Sequence, residues 1–369
     1  MRYRINPFRD RGAHPAPPRD RIRAFHRSLP GYQPTPLHHL PALAAELGLA
    51  MVQVKDESQR YGLPSFKVLG AAWAVHRLRE TGARLGTLAT ATDGNHGRAV
   101  AWIARQLGAR AVIFMTADTT PARIAAIRDE GADVVVVEGT YDDAVRACAE
   151  QSAASGWQVV ADVGYGEYRE IPRWITEGYS TMLEEAAEQR TLAGWPEPDV
   201  VLVQAGVGGL AAAVVEHFGA RTPQPVIVVV EPTEADALLE SALTPEGRPA
   251  PSSGTQRSFM ACLNAGTVSL TAWPILRRGV DVFVTVTDDY AREAMRRFAR
   301  PSGNDPPILA GEAGAAGLAG LLALLREPGL LPAREAAGLS ARSTVFLLVT
   351  EGATDPVTWT AVTECDLPP

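Results

Sequence analysis

Cysteine is scarce and scattered in this sequence. Cys148, Cys262 and Cys365 are the three present in 369 residues; an odd, widely spaced set without histidines at ligand spacing supports neither a disulfide framework nor a zinc site. Runs of like charge are missing too. The net charge is −7, and no stretch of about five or six like charges offers the basic footprint of a nucleic-acid binder or a polybasic membrane anchor. Apolar runs such as Val134 to Val137 and Phe346 to Val349 fall far short of the roughly 20 residues a membrane helix needs. The arginine-rich start (Arg2, Arg4, Arg9, Arg11, Arg19, Arg21, Arg23) is broken by Asp10 and Asp20. It lacks the apolar stretch of a signal peptide, so it is expected to be a solvated arm, and the cytoplasm is the expected compartment. No self-similarity recurs at the periods of about 20 to 50 residues that mark solenoids and propellers.

What the chain does have is enough length and a 46% hydrophobic content for two lobes with a sizeable core. Short β-rich runs alternate with alanine-rich helical stretches, the pattern of parallel sheets covered by helices, so the fold class is α/β. TLATAT (87–92), AVIFM (111–115), DVVVVE (133–138) and WQVVAD (157–162) predict four strands of a small lobe spanning 86–162. After the break WPEPD (195–199), the runs VVLVQA (200–205), PVIVVVEP (225–232), DVFVTV (281–286) and TVFLLVT (344–350) predict a larger lobe. Residues 1–85, whose VQVKDES has no other sheet to join, belong with 163–369 in that discontinuous lobe. LTPEGRPAPSSG (243–254) is expected to be a surface loop.

Four junctions carry candidate chemistry. In PSFKVLGAAWAV (64–75) Lys67 opens a helix of small residues, between Phe66 and Val68; desolvation there is expected to lower its pKa toward nucleophilic use, although a lysine in a first turn is ordinarily solvated. ATDGNHG (91–97) is a strand-to-helix turn that Asp93 or Asn95 could simply cap, yet such turns at the carboxyl ends of parallel strands also bind ligands. Asn95 offers an amide for a phenolate oxygen and Asp93 a carboxylate for proton transfer, while His96 is expected to be a packing or hydrogen-bonding residue. QAGVGGL (204–210) lets backbone N–H groups converge at a helix N-terminus, a site for a phosphate dianion. It lacks the GK[ST] of a nucleotide loop and the third glycine of G-x-G-x-x-G, so it suits one small phosphate rather than a dinucleotide. LVTEGATDP (348–356) has the composition of a polar turn, although the Thr350 hydroxyl could hydrogen-bond a neutral pyridine nitrogen.

Taken together, GYQPTPL (31–37), VKDESQRYGLPSFKVLGA (54–71), DGNHG, IPRWITEGY (171–179), QAGVGGL, AWPILRRG (272–279), SGNDPPILAGEAGA (302–315) and TEGATDP give the chain a strong resemblance to the diaminopropionate ammonia-lyases. These are pyridoxal-phosphate (PLP) enzymes of fold type II, the tryptophan-synthase-β type. The resemblance implies Lys67 carrying PLP as a Schiff base, Asn95 beside the phenolate, and Gly206, Val207, Gly208 and Gly209 around the phosphate. It also implies Thr350 at the pyridine nitrogen and Asp93 and Asp162 as catalytic carboxylates. A carboxylate suits a cationic β-amine better than the serine that threonine dehydratases carry in place of Asp93. The expected reaction is α,β-elimination of D- or L-2,3-diaminopropionate to pyruvate and two ammonia, in a homodimer. A related dehydratase or β-replacement enzyme acting on another β-substituted amino acid is the alternative. Departures bear on substrate: where the family usually reads AGL-x-CGEP, this chain has Cys262, Ala265, Thr267 and Val268 in place of Gly, Cys, Glu and Pro. Ala313, Ala353 and Tyr165 replace a usual Ser, Asp and Trp.

Overall fold

The longer strands of the protein form where β-branched residues cluster. The structure, a computed structural model, describes residues 1–12, 18–92, 94–139 and 141–367, the Asp142 side chain excepted. Among these residues the strands are β1 Tyr3–Ile5, β2 Leu37–His39, β3 Met51–Asp56, β4 Thr87–Ala91, β5 Arg110–Thr116, β6 Asp133–Val137, β7 Gln158–Val159, β8 Val200–Gln204, β9 Val226–Pro232, β10 Val282–Val286 and β11 Thr344–Val349. Seven make one sheet in the order β1-β10-β9-β8-β11-β3-β2, and four make a second in the order β6-β5-β4-β7. The five middle strands of the large sheet and all four of the small sheet are parallel.

Every residue of β8, β10 and β11 is buried, because helices cover both faces of the large sheet. Val201, Val203, Val229, Phe283 and Phe346 face one core, and their alternating neighbours Val200, Leu202, Val228, Val282 and Val345 face another. This explains why these strands appear in the sequence as unbroken apolar runs rather than as polar–apolar alternation. The small sheet shares the first of these cores through Leu88 and Ile113. On its other face Ala91, Phe114 and Cys148 form a smaller cluster.

Two expectations are corrected. The N-terminal arm is not simply solvated: β1 pairs antiparallel with β10, Arg2 reaches Asp236 at 3.0 Å, and Arg9, only 12% exposed, reaches Asp281 at 3.0 Å. Those acids lie more than 230 positions away, so the arm's place on the sheet edge has no local signal. The predicted strand 157–162 shrinks to Gln158–Val159, since beyond Val160 the Ala161 N–H donates to the Tyr168 hydroxyl at 2.9 Å and the chain leaves the ladder.

The carboxyl ends of β4, β7, β8 and β11 meet at one cleft between the two sheets, the usual ligand position in such folds. The segment before Lys67 is pinned there: Phe66 N donates to Thr350 O at 3.3 Å and Gly352 N to Pro64 O at 2.9 Å. This places the first turn of the Lys67–Glu80 helix against the end of β11. That helix packs closely because Gly70 has no side chain; a Cβ there would lie 2.8 Å from the Ile175 carbonyl oxygen.

Candidate active site

The cleft holds a cavity of about 300 Å³ whose wall includes Lys67, Thr92, Gly94, Asn95, Asp162, Gly206 to Gly209, Thr350 and Glu351. The described residues expected at the site therefore come together from five separate junctions. Asp93 lies outside the described residues, while its neighbours Thr92 and Gly94 both line the cavity.

Lys67 Nζ donates to Asp162 Oδ2 at 2.6 Å. Burial would lower the ammonium pKa, but the Asp162 carboxylate outweighs it and holds Lys67 above the ordinary lysine value. Burial alone would likewise raise Asp162, and the Lys67 ammonium brings it below the usual carboxylate range. The expectation of a lowered lysine pKa is thus corrected, because the partner that reverses it sits 95 positions away. The chain has just two lysines, Lys55 and Lys67. Lys55 is fully buried and committed to the Thr35 carbonyl oxygen at 2.7 Å and to Glu185 and Gln189 at 3.0 Å. Lys67 is the lysine amine that can meet a small molecule in the cleft.

His96 is a hydrogen-bonding residue, as expected: Nε2 lies 2.7 Å from the Val160 carbonyl oxygen. A carbonyl only accepts, so Nε2 carries the hydrogen. The lone-pair side, Nδ1, faces Asp162 at 3.9 Å. Among the described residues, Asn95 is not the one that supplies the cap local sequence suggests. Thr92 does, its hydroxyl accepting from Gly94 N at 3.0 Å and Gly97 N at 3.2 Å. The Asn95 amide is thereby released into the cleft, where it donates to Glu351 Oε2 and approaches Cys262 Sγ at 3.4 Å.

Two polar residues of the site have no counterpart among the expected set. Gln204 Nε2 lies within 2.9 Å of the Thr350 hydroxyl oxygen and of the Leu348 carbonyl oxygen, so Thr350 accepts there and keeps its own hydrogen to donate. Glu351 accepts from Ala313 N at 2.9 Å besides Asn95. Both belong to motifs visible in the sequence; what was not visible is the pairing across the cleft. Asp355 instead caps the Pro356–Thr363 helix, accepting from Thr358 N at 3.2 Å.

Close by, Glu312 pairs with Arg123 from the small-sheet side. Burial, and then the neighbouring Glu351 carboxylate, push its carboxyl up to about 7 against the opposing pull of Arg123. A carboxyl that holds its proton more tightly folded than unfolded loses stability as pH rises from its unfolded value, about 4.3, through 7. Glu312→Gln is expected to flatten that slope: its unfolding midpoint should gain on wild type between pH 5 and pH 8 in urea titrations, and parallel curves would refute the assignment.

The glycine turn opens the Gly209–Gly219 helix, with Gly208 at φ +101 as its N-cap. Any side chain there would be strained, and its Cβ would meet Leu276 Cδ1 at 2.6 Å. The exposed N–H groups of a helix N-terminus beside the cavity suit an anion. An amine at one side of the cavity, an N–H turn at another and a hydroxyl donor at Thr350 fit a phosphorylated aldehyde with a ring acceptor.

Comparison with known proteins agrees. Residues 29–350 match the family described as pyridoxal-phosphate dependent enzyme. The chain is 37% identical to the diaminopropionate ammonia-lyase of Salmonella typhimurium over 359 residues, 91% of this chain and 89% of the relative. It is 38% identical to that of Escherichia coli K12 over 353 residues, 90% and 88% of the two chains. The crystal structure of the E. coli diaminopropionate ammonia lyase in complex with an aminoacrylate-PLP azomethine reaction intermediate superposes with a TM-score of 0.91 at 36% identity, covering 98% of this chain and 96% of that one. The same enzyme in complex with D-serine gives 0.90 at 34%, over 98% and 96% of the two chains. With its motifs on one cleft and its likeness running through nearly its whole length, this chain belongs to the diaminopropionate ammonia-lyases within the pyridoxal-phosphate dependent enzyme family.

Proposed function

We propose that this chain catalyses the PLP-dependent elimination of ammonia from 2,3-diaminopropionate, yielding pyruvate and a second ammonia after hydrolysis. The observation that carries this is identity of 37–38% across about nine-tenths of both chains, with Lys67 and Asp162 paired in the cleft.

In this proposal Lys67 holds the cofactor covalently, Gly206 to Gly209 bind its phosphate, Asn95 meets its phenolate and Thr350 its pyridine nitrogen. Bound there, PLP supplies the electron sink that lets the Cα proton leave. Thr350 donates a hydrogen bond without a full proton, which keeps the sink weak and favours elimination over racemisation. Lys67 or Asp93 takes the Cα proton according to the substrate's hand, and Asp162 serves the departing β-amine. The proposal includes a division into a small lobe at 86–162 and a discontinuous large lobe, and a homodimer working in the cytoplasm. Among the described residues no helix is long and apolar enough to cross a membrane.

The test is a panel of D- and L-2,3-diaminopropionate, serine, threonine, cysteine and O-acetylserine, read as both ammonia and keto-acid release. Two ammonia per pyruvate from diaminopropionate supports the reading. Cys262, Ala265, Thr267, Ala313 and Tyr165 line the cavity, so these departures from the family pattern bear directly on substrate. Turnover of serine with diaminopropionate ignored would shift the assignment to a dehydratase.

The phosphate cradle gives a separate prediction. Gly208→Asp places a strained side chain and a negative charge where N–H groups meet a dianion. PLP affinity, titrated by absorbance, is expected to fall at least about tenfold, since a hydrogen bond to a charged group contributes about 1.5–3 kcal/mol.

A further inference from the structure

Tyr179 joins the Glu170–Gly178 and Ser180–Ala193 helices and is 1% exposed, yet it lines the cavity. Its ring is wedged between two helix starts. Cε1 lies 2.6 Å from where a Cβ on Gly70 would be, and Cε2 lies 4.0 Å from the corresponding point on Gly209. The Phe66 ring packs on it at a centroid separation of 4.6 Å. Both Cε atoms adjoin the carbon that bears the hydroxyl. The hydroxyl is therefore aimed between the first turn of the Lys67 helix and the first turn of the helix that begins at Gly209.

That hydroxyl is buried and meets no partner at hydrogen-bond geometry; the nearby Lys67 ammonium can only donate to its oxygen, so the hydroxyl hydrogen has no acceptor among the described residues. Native proteins satisfy nearly all buried polar groups, so an orphaned one in a cavity wall calls for a partner that enters from outside. The Asp162 carboxylate is already engaged by Lys67 at 2.6 Å. Burial raises the phenol's pKa above its ordinary value, with the Lys67 ammonium opposing, so at neutral pH the group is an uncharged donor. A donor beside a helix N-terminus, where backbone N–H groups also point outward, is complementary to an anion rather than to a cation.

We propose that the Tyr179 hydroxyl donates a hydrogen bond to the cofactor's phosphate, adding one side-chain donor to the backbone cradle of Gly206 to Gly209. The proposal rests on the reading of that turn as the phosphate site. It also gives the glycine at position 70 a purpose beyond helix packing, since a side chain there would displace the ring that carries the donor.

The experiment titrates the apoprotein with PLP and with pyridoxal, which lacks the phosphate, following the Schiff-base absorbance for wild type, Tyr179→Phe and Gly208→Asp. Phenylalanine keeps the ring against Gly70 and Phe66, and pyridoxal binding reports on whether the site is still formed. Tyr179→Phe is expected to weaken PLP about tenfold or more, the range for one hydrogen bond to a charged group, while pyridoxal affinity stays within about twofold. The ratio of ratios isolates the hydroxyl–phosphate coupling. Equal losses for both ligands would overturn the proposal in favour of a role at Lys67 or in packing, and no loss for either would overturn it outright. If Gly208→Asp abolishes the advantage of PLP over pyridoxal while Tyr179→Phe leaves it intact, the cradle stands and only the Tyr179 assignment fails. If the advantage survives Gly208→Asp, the cradle reading fails and takes the Tyr179 assignment with it.

Discussion

Lys67→Ala is expected to leave a folded protein that binds no PLP covalently, shows no Schiff-base absorbance and eliminates nothing. The step asked of the lysine is a covalent bond, which no neighbouring side chain can replace. The chain makes this test unusually clean. Its other lysine, Lys55, is fully buried among Glu185, Gln189 and the Thr35 carbonyl, so no second lysine amine can produce a misleading band. Elimination should fall by more than the roughly 10²- to 10⁴-fold that loss of a positioned acid–base group alone costs. The variant also strands Asp162 without its partner at 2.6 Å, so the carboxyl pKa should climb back as burial goes unopposed. A modest drop in the unfolding midpoint above the carboxylate range would accompany that change. Retention of the Schiff-base band in Lys67→Ala would remove the lysine from the chemistry.

Much of this was legible in the sequence because the signals are local. Valine-rich runs such as 200–204 and 282–286 are strands because β-branched residues fill a sheet buried on both faces. Lys67 stands at the first position of its helix, as the small residues that follow it imply. The glycines at 206, 208 and 209 lie at a helix start beside the cavity. Pairings made across the cleft were not legible, since nothing near Asn95 announces Glu351, 256 positions on, and nothing near Lys67 announces that Asp162 will raise its pKa rather than leave burial to lower it. The three-residue strands β1 and β2 are too short to carry a periodic pattern, and long-range pairing alone creates them. Thr92 gives no cap signal of its own in the sequence, because Asp93 and Asn95 beside it are the stronger cap formers by type. The two-lysine count was available from composition and would have singled out Lys67 by elimination once the burial of Lys55 was known.

The carboxylates give the sharpest test of mechanism. Asp162 sits at the cleft with its side chain 14% exposed and Lys67 on it, while His96 presents Nδ1 at 3.9 Å. Asp162→Asn removes a charge that both stabilises the lysine ammonium and can meet a cationic β-amine. D- and L-2,3-diaminopropionate should therefore suffer alike, each losing about 10²- to 10⁴-fold in kcat/KM, with PLP still bound. The pH dependence should move with it: the unpaired Lys67 now feels burial without Asp162, so its pKa falls and the ascending limb it governs shifts to lower pH. Asp93→Asn should behave differently. If Asp93 and Lys67 take the Cα proton from opposite faces of the bound substrate, its loss should remove most D-directed turnover and spare more of the L-directed reaction. The contrast between the variants is the point, since a general loss of order in the cleft would depress all four combinations together. Small and equal effects of both substitutions on both enantiomers would sink the two-base scheme. A D-selective loss in Asp162→Asn, with Asp93→Asn affecting both, would exchange the two carboxylates' roles and make Asp162 the D-side base.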